Sequence, residues 1–331
     1  MIHRGELQKV LLDAAIGAGV ELRTGSPVTN VDDDFEARIQ LANGEWIEGD
    51  VLVAADGIKS KIRELITRFH SETSQQKMST GDAAYRLLIP KEDLEHDQYS
   101  LSLLGNNVAT RWMGPHGHIM AYPIKGNTIY NMVLVHPEIG LTDPDHSESW
   151  TRKGNKYEMM GFYQSWCPEV RRLLSLVTDG QVIEWTLNSH PPLGSWSENK
   201  TILIGDSSHP MLPYVAQGCA QAMEDAGVLQ CALLKSPHDI STALKVFQLM
   251  RKERAEKIQA SAASTRKSLH LSDGPEQQGR DENIRLAGRG GSNPDLWADR
   301  AFQDFMWGTD VMRETIVHWS KWEAMVKAEK S

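Results

Sequence analysis

Thr201-Ile202-Leu203-Ile204-Gly205-Asp206-Ser207-Ser208-His209-Pro210-Met211-Leu212-Pro213-Tyr214-Val215-Ala216-Gln217-Gly218-Cys219-Ala220-Gln221-Ala222-Met223-Glu224-Asp225-Ala226 is the stretch that decides how this sequence is read. Its opening run, 201–204, is largely apolar, as in a strand buried on both faces of a parallel sheet. Asp206 follows at the carboxyl end of that strand, the edge where open α/β sheets bind ligands, and its carboxylate can accept a hydrogen bond from a sugar-like hydroxyl. Pro210 and Pro213 stiffen the loop that follows. Gln217-Gly218 then opens a helix over 217–234, whose first backbone N–H groups are free to face an anion or an electron-rich ring. Gly218, Cys219 and Ala220 are small enough to let a flat ring approach the backbone. A merely structural loop rarely needs so many special residue types in one order, so this stretch is read as functional.

The same theme stands earlier in the chain, in Asp50-Val51-Leu52-Val53-Ala54-Ala55 followed by Asp56-Gly57-Ile58-Lys59-Ser60-Lys61-Ile62-Arg63. The apolar run predicts another strand buried on both faces, delivering Asp56 to the ligand-binding edge of the sheet. Gly57 permits the turn, and Ser60 can cap the next helix. Asp-Gly is also ordinary punctuation between a strand and a helix, so this segment alone leaves a structural reading open.

Between the two strand–acid units the pattern changes. Closely spaced strand candidates at 85–89, 99–104, 108–113, 118–123 and 128–135, with Gly126-Asn127 turning the last pair, predict an inserted, mostly antiparallel sheet. Near the start, residues 4–18 predict an amphipathic helix with Leu7, Val10, Leu11, Ala14 and Ala15 in one stripe. Gly17-Ala18-Gly19 ends that helix and is not a dinucleotide loop, which would have to follow a strand. Asn43-Gly44 predicts a hairpin between 37–41 and 45–47. Residues 157–177 and 241–270 predict helices, the second carrying Arg251, Lys252, Arg254 and Lys257 on a face expected to be solvated. Residues 272–295, rich in Gly, Asp, Gln and Asn, predict a loop in which Gly288-Arg289-Gly290-Gly291 follows no strand and is rejected as a phosphate cradle. A Trp-rich helical tail is predicted over 296–325.

Composition narrows the function classes. The net charge of −9 provides no excess of Lys and Arg to neutralise phosphates, which argues against a nucleic-acid partner. Cys167, Cys219 and Cys231 show no CxxC spacing, so neither a disulfide framework nor a metal site is expected, and a reducing, cytoplasmic location fits. No apolar run approaches the length of an integral membrane segment, and Met1-Ile2-His3-Arg4-Gly5-Glu6 lacks the apolar core of a signal peptide. Ten Trp and thirteen Met suit a pocket for a flat apolar ligand, although such residues also fill cores.

The two strand–acid segments resemble the Asp-Gly and Gly-Asp fingerprints of the class A flavoprotein monooxygenases, the salicylate-hydroxylase-like enzymes. His3-Arg4 with Leu7 and Leu11, Tyr85-Arg86, and Trp112-Met113-Gly114-Pro115 through Tyr122-Pro123-Ile124 extend the resemblance. Asn131, Glu224-Asp225-Ala226 and residues 251–254 continue it, so that it covers roughly 3–270 with the flavour of the fungal enzymes of secondary metabolism. The resemblance implies an α/β fold: an incomplete Rossmann-like FAD-binding domain with an inserted, mostly antiparallel β-sheet substrate domain. Its parts would be 1–78 and 191–270 for the FAD-binding domain, 79–190 for the substrate domain, and 271–331 for a loop and helical tail. The family's first strand, GxGxxG loop and helix are not found in this sequence, hence the expectation of an incomplete domain.

The activity implied is that of an FAD-dependent monooxygenase using NAD(P)H as co-substrate and O2 to hydroxylate or epoxidise an aromatic, polyketide or terpenoid-like small molecule. A flavin-dependent reductase or oxidase, and a binding protein without turnover, stay open at this point, as does an oligomer. By the resemblance, Arg4, Asp56 and Asp206 would contact FAD, and the backbone at Gly218 and Cys219 would approach its ring, Cys219 replacing the usual alanine. Arg86 and Tyr122 would bind or deprotonate the substrate, with His118 as a third candidate. Deprotonating a phenol raises the electron density of its ring, which gives such residues their task. For Tyr122 and His118 ordinary strand packing is the competing reading.

Overall fold

The computed structural model describes residues 3–70, 78–138, 151–178 and 180–329. In chain order the elements begin with α1 (Arg4–Gly17), β1 (Val28–Val31), β2 (Arg38–Leu41), β3 (Trp46–Glu48), β4 (Leu52–Ala54) and α2 (Lys61–Phe69). Then come β5 (Met78–Pro90), α3 (Lys91–Leu94), α4 (Gln98–Gly105), β6 (Thr110–Gly114), β7 (Gly117–Ile124), β8 (Ile129–Pro137), β9 (Thr151–Lys153), α5 (Lys156–Phe162) and α6 (Pro168–Ser175). The chain continues through β10 (Ile183–Ser189), β11 (Ser197–Glu198), β12 (Thr201–Leu203), α7 (Gly218–Lys235), α8 (Ile240–Leu269), α9 (Pro275–Ala287), α10 (Arg300–Trp307) and α11 (Val311–Glu329). It divides into two compact units, one of Met1–Arg23, Ser79–Leu187 and Leu269–Gly279, the other of Thr24–Met78, Asn188–Ser268 and Arg280–Ser331.

The first unit is built on a six-stranded sheet of order β6-β7-β8-β5-β10-β9. The pairings of β6 with β7, β7 with β8, β8 with β5, and β10 with β9 are antiparallel, as the alternation of side chains predicts. Leu87, Ile89, Ile119, Ala121, Met132 and Leu134 point to one face, where Leu104, Met159, Val170 and Leu173 of α4, α5 and α6 complete a core. The residues in between, Arg86, His118, Tyr122 and Asn131 among them, occupy the other face. A turn with left-handed backbone at Lys125, Gly126 and Asn127 joins β7 to β8.

Several expectations need correcting in this unit. Residues 99–104 are helical, in α4. Their polar–apolar alternation mimics a strand, but Asp97 accepts a hydrogen bond from the Ser100 N–H and so caps a helix that buries Leu104. Residues 157–177 form two helices rather than one, because Pro168 starts α6 afresh after a short 3-10 turn. Residues 1–23 belong to the compact unit of the sheet, not to the unit of residues 24–78. Helix α1 forms where predicted, yet no residue of it is buried, and Val10 and Leu11 of its apolar stripe are half exposed or more.

The second unit holds the β1-β2-β3 meander and a three-stranded sheet of order β11-β12-β4. Asn43-Gly44 turns β2 into β3, with Gly44 at φ +88, a conformation that glycine adopts without steric cost. β12 and β4 run parallel, Ile202 opposite Val53, although the chain leaves this unit after 78 and returns at 188. That return is why a parallel pair exists at all, since parallel neighbours need a long crossover. β12 is buried throughout, as predicted. β4 ends the described sheet, and only Ala54 of it is buried, so the expectation of burial on both faces fails at Val53. Trp196, Ile202, Leu203, Val228, Leu244 and Phe247 lie in the core. The loop expected over 272–295 contains α9, which forms because Glu, Gln and Arg are good helix formers and Pro275 takes its first position. The helical tail over 296–325 appears as α10 and α11, divided at Gly308.

Candidate flavin and substrate sites

In the second unit, buried β12 ends in a 3-10 turn, Gly205–Ser207, with Gly205 at φ +60 and Asp206 exposed. Ala216 adopts a left-handed conformation at φ 52 and re-aims the chain into α7. Gln217, the residue before α7, makes no side-chain cap, so its first N–H groups are left to a ligand or solvent. A Cβ added at Gly218 would lie 4.0 Å from Asp206 Oδ1, which places that carboxylate beside the helix opening. Cys219 is exposed in the first turn. A carboxylate acceptor and free helix N–H groups, within a few ångströms of each other, fit a ligand that has hydroxyls and an electron-rich or anionic part.

Behind this turn stands a buried ionic network that the sequence reading missed. Asp225 Oδ2 accepts from the Gly205 N–H at 2.8 Å and pairs with His209 Nε2 at 2.7 Å. Arg251 Nε donates to the other oxygen of Asp225 at 2.8 Å, while its remaining nitrogens reach Glu224 at 2.6 Å and the Gln221 side chain at 2.7 Å. Arg254 clasps Glu224 through two bonds of 2.8 Å. Burial pushes the Asp225 carboxyl upward, but His209 and Arg251 outweigh it and hold the group below the usual carboxylate range. The solvated face expected for Arg251 and Arg254 is therefore wrong: Arg251 is 0% exposed and Arg254 8%. The signal was there in two opposite-charge pairs, Glu224-Asp225 and Arg251/Arg254, on separate helices.

Asp56 follows β4, with Gly57 at φ +78. Its Oδ2 accepts from the Lys61 N–H at 3.0 Å, and Ser60 caps α2 by accepting from the Arg63 N–H at 2.9 Å. One Asp56 oxygen thus serves the helix opening, the structural role that the Asp-Gly corner left open. Arg63, another residue not singled out from sequence, is buried and donates to the carbonyls of Ser207, Ser208 and Pro191. It ties the Asp56 helix to the Asp206 turn.

In the first unit, Arg86, Tyr122 and His118 share the sheet face opposite the core. Along that face Tyr122 stands level with Asn131 and Leu88, Met120 with Val133 and Arg86, and His118 with Val135 and Ala84. The Arg86 guanidinium lies 5.8 Å from the centroid of the Trp185 ring. Burial lowers its pKa, Arg4 lowers it further, and Tyr122 opposes them. His118 is four residues from Tyr122, about 13 Å along a strand, so it does not join Tyr122 at one point. Its Nδ1 instead meets His270 Nε2 at 2.8 Å, and burial, His270 and Arg111 hold it well below the usual imidazole range. Arg4 opens α1, exposed. Among the described residues no His, Cys, Asp or Glu cluster is arranged to hold a metal, and no helix is long and apolar enough to cross a membrane.

Comparison with known proteins accords with this geometry. Residues 1–259 match the family model described as "FAD binding domain". The chain is 37% identical over 298 residues to the FAD-dependent monooxygenase ntnJ of Nectria sp, covering 89% of this chain and 69% of that protein. It is 35% identical over 334 residues to the FAD-dependent monooxygenase atnJ of Arthrinium sp, covering 100% and 73%. Its fold is similar to that of a salicylate hydroxylase substrate complex, with a TM-score of 0.76 at 25% identity over 95% of this chain and 74% of the other. The chain belongs to the family of FAD-binding class A flavoprotein monooxygenases.

Proposed function

We propose that the chain uses NAD(P)H and O2 to hydroxylate or epoxidise an aromatic, polyketide or terpenoid-like small molecule in secondary metabolite biosynthesis. The observation that carries this reading is the Asp206 carboxylate beside the uncapped opening of α7. Asp206 would accept hydrogen bonds from hydroxyls of FAD, while the N–H groups at Gly218 and Cys219 would face its ring. Asp56, whose second oxygen is not used by the Lys61 N–H, would serve the nucleotide side, and Arg4 would contact the cofactor from the start of α1. When bound, FAD supplies the electron transfer and oxygen activation that no side chain can. The protein's own residues bind and orient. Arg86 would offer a positive charge to an ionised substrate, and Tyr122, on the same face, would bind or deprotonate a phenolic hydroxyl. The fungal relatives support a substrate from secondary metabolism, and the salicylate hydroxylase neighbour supports an aromatic one.

The test is an absorption spectrum after incubation with FAD and gel filtration. Retained flavin with shifted bands, lost in Asp206→Ala, is expected. A colourless wild-type protein would sink the reading. With flavin retained, NADPH oxidation and incorporation of labelled oxygen into product separate a monooxygenase from a reductase or oxidase, which would yield peroxide instead.

A further inference from the structure

On the sheet face that carries Arg86 and Tyr122, Asn131 is 3% exposed, yet its Nδ2 has no hydrogen-bond partner among the described residues. A buried amide donor left unpaired costs stability, and native proteins tolerate few of them. Its position makes the exception informative. Asn131 lies directly opposite Tyr122 on β7 and Leu88 on β5, and Arg86 stands one row along, opposite Val133. On a pleated sheet such a diagonal spans about 7–8 Å, the reach of one substituted aromatic ring. Arg86 rests against the Trp185 ring and forms no ion pair among the described residues. The Trp185 Nε1 is a second buried donor without a partner. One face therefore gathers a half-buried cation and two unused N–H donors, while the carboxylate described on that face, Asp82, lies four residues from Arg86 along β5 and beside His270. The complement of such a surface is an anion with acceptor oxygens.

We propose that Asn131 is a specificity-determining residue that touches substrate, its side-chain N–H donating to an anionic oxygen of a planar aromatic acid, such as a ring carboxylate, whose charge faces Arg86. The proposal rests on the reading above only in taking this sheet face as the substrate side. It adds a residue: Asn131 would discriminate in favour of an anionic oxygen carried on the ring. A neutral analogue keeps an acceptor but loses the charge, and hydrogen bonds to an ionised acceptor are about twice as strong as neutral ones. The unpaired state of Asn131 before binding is the source of discrimination.

The experiment uses the full chain, calorimetric titration with salicylate and with its neutral counterpart 2-hydroxybenzyl alcohol, and thermal melting without ligand. Asn131→Leu removes the donor at similar volume. It is expected to weaken salicylate binding on the order of tenfold while changing the alcohol less than about threefold. The same variant is expected to melt about 2 °C higher, because an unsatisfied buried group has gone. Asn131→Asp places a carboxylate near Arg86 and is expected to abolish salicylate binding without lowering the melting temperature. A purely structural asparagine would give the opposite sign in melting. The proposal is overturned if Asn131→Leu melts lower, if both variants bind salicylate within about twofold of wild type, or if wild type binds neither compound. Flavin retention reads Asp206 in the other compact unit, so failure of this test and failure of the cofactor reading are distinguishable.

Discussion

Replacing Arg251 by Met is the most demanding test of how the Asp206 turn is held. Arg251 is fully buried and donates to Asp225, Glu224 and Gln221. The loss is uneven across these partners. Glu224 keeps both bonds from Arg254, so its charge stays compensated. Asp225 keeps His209 and the Gly205 N–H but loses the Arg251 guanidinium, at a position that is itself 0% exposed. Removing one partner of a buried ion pair costs about 3–5 kcal/mol, because the other charge is left without compensation. With a urea slope of about 3 kcal/mol/M, the unfolding midpoint should fall by at least about 1 M. The companion variant Asp225→Asn with Arg251→Met removes the stranded charge and should recover about 1–3 kcal/mol of the loss. Far-UV circular dichroism across a urea series reads both. A loss below about 1 kcal/mol for Arg251→Met would refute the reasoning, as would a double variant no more stable than the single one.

Two further outcomes follow from the first unit. His118 and His136 both titrate below the ordinary 6.5 in the folded chain, burial being the largest cause. The unfolded chain then binds more protons below pH 6.5, so stability must fall as the pH drops from 6.5 towards the folded values. Urea midpoints at pH 7.5, 6.5 and 5.5 check the sign, and a flat or rising profile towards acid contradicts the burial of these imidazoles. Gly117→Ala would bring a Cβ to 2.4 Å from the Val135 carbonyl oxygen, a backbone atom that cannot step aside. It should cost about 2–3 kcal/mol, whereas Gly161→Ala, with open space around it, should stay within about 1 kcal/mol of wild type by the same urea assay.

What was legible in the sequence follows from how each element earns its residues. Apolar strands and the special residues that end them leave a one-dimensional trace, so β12 with Asp206 and β4 with Asp56 could be placed directly, although only β12 is buried throughout. The antiparallel sheet left a period of two in β6, β7 and β8. Gln98–Gly105 left the same period and misled, because a capping Asp97 outweighs alternation over so short a run. Polar α9 left no apolar stripe at all. The buried arginines were misread for a different reason. A charge looks the same in sequence whether its counter-charge is water or a carboxylate on another helix, and Arg251 meets Asp225 only through the fold. The unpaired amide of Asn131 was equally out of reach, since satisfaction of a donor is a property of three-dimensional neighbours.

The alternation along β7 has an evolutionary consequence. Ile119 and Ala121 commit to the core while His118, Met120 and Tyr122, one residue away in each case, face the opposite side. Mutations therefore fall into two nearly independent alphabets on the same strand. Odd positions are constrained by packing density, while of the even positions Met120 and Tyr122 are only partly buried and His118 is held by His270. Substitutions at Met120 and Tyr122 can therefore remodel that face with little disturbance of the core packed behind it, whereas His118 is tied into the fold through His270.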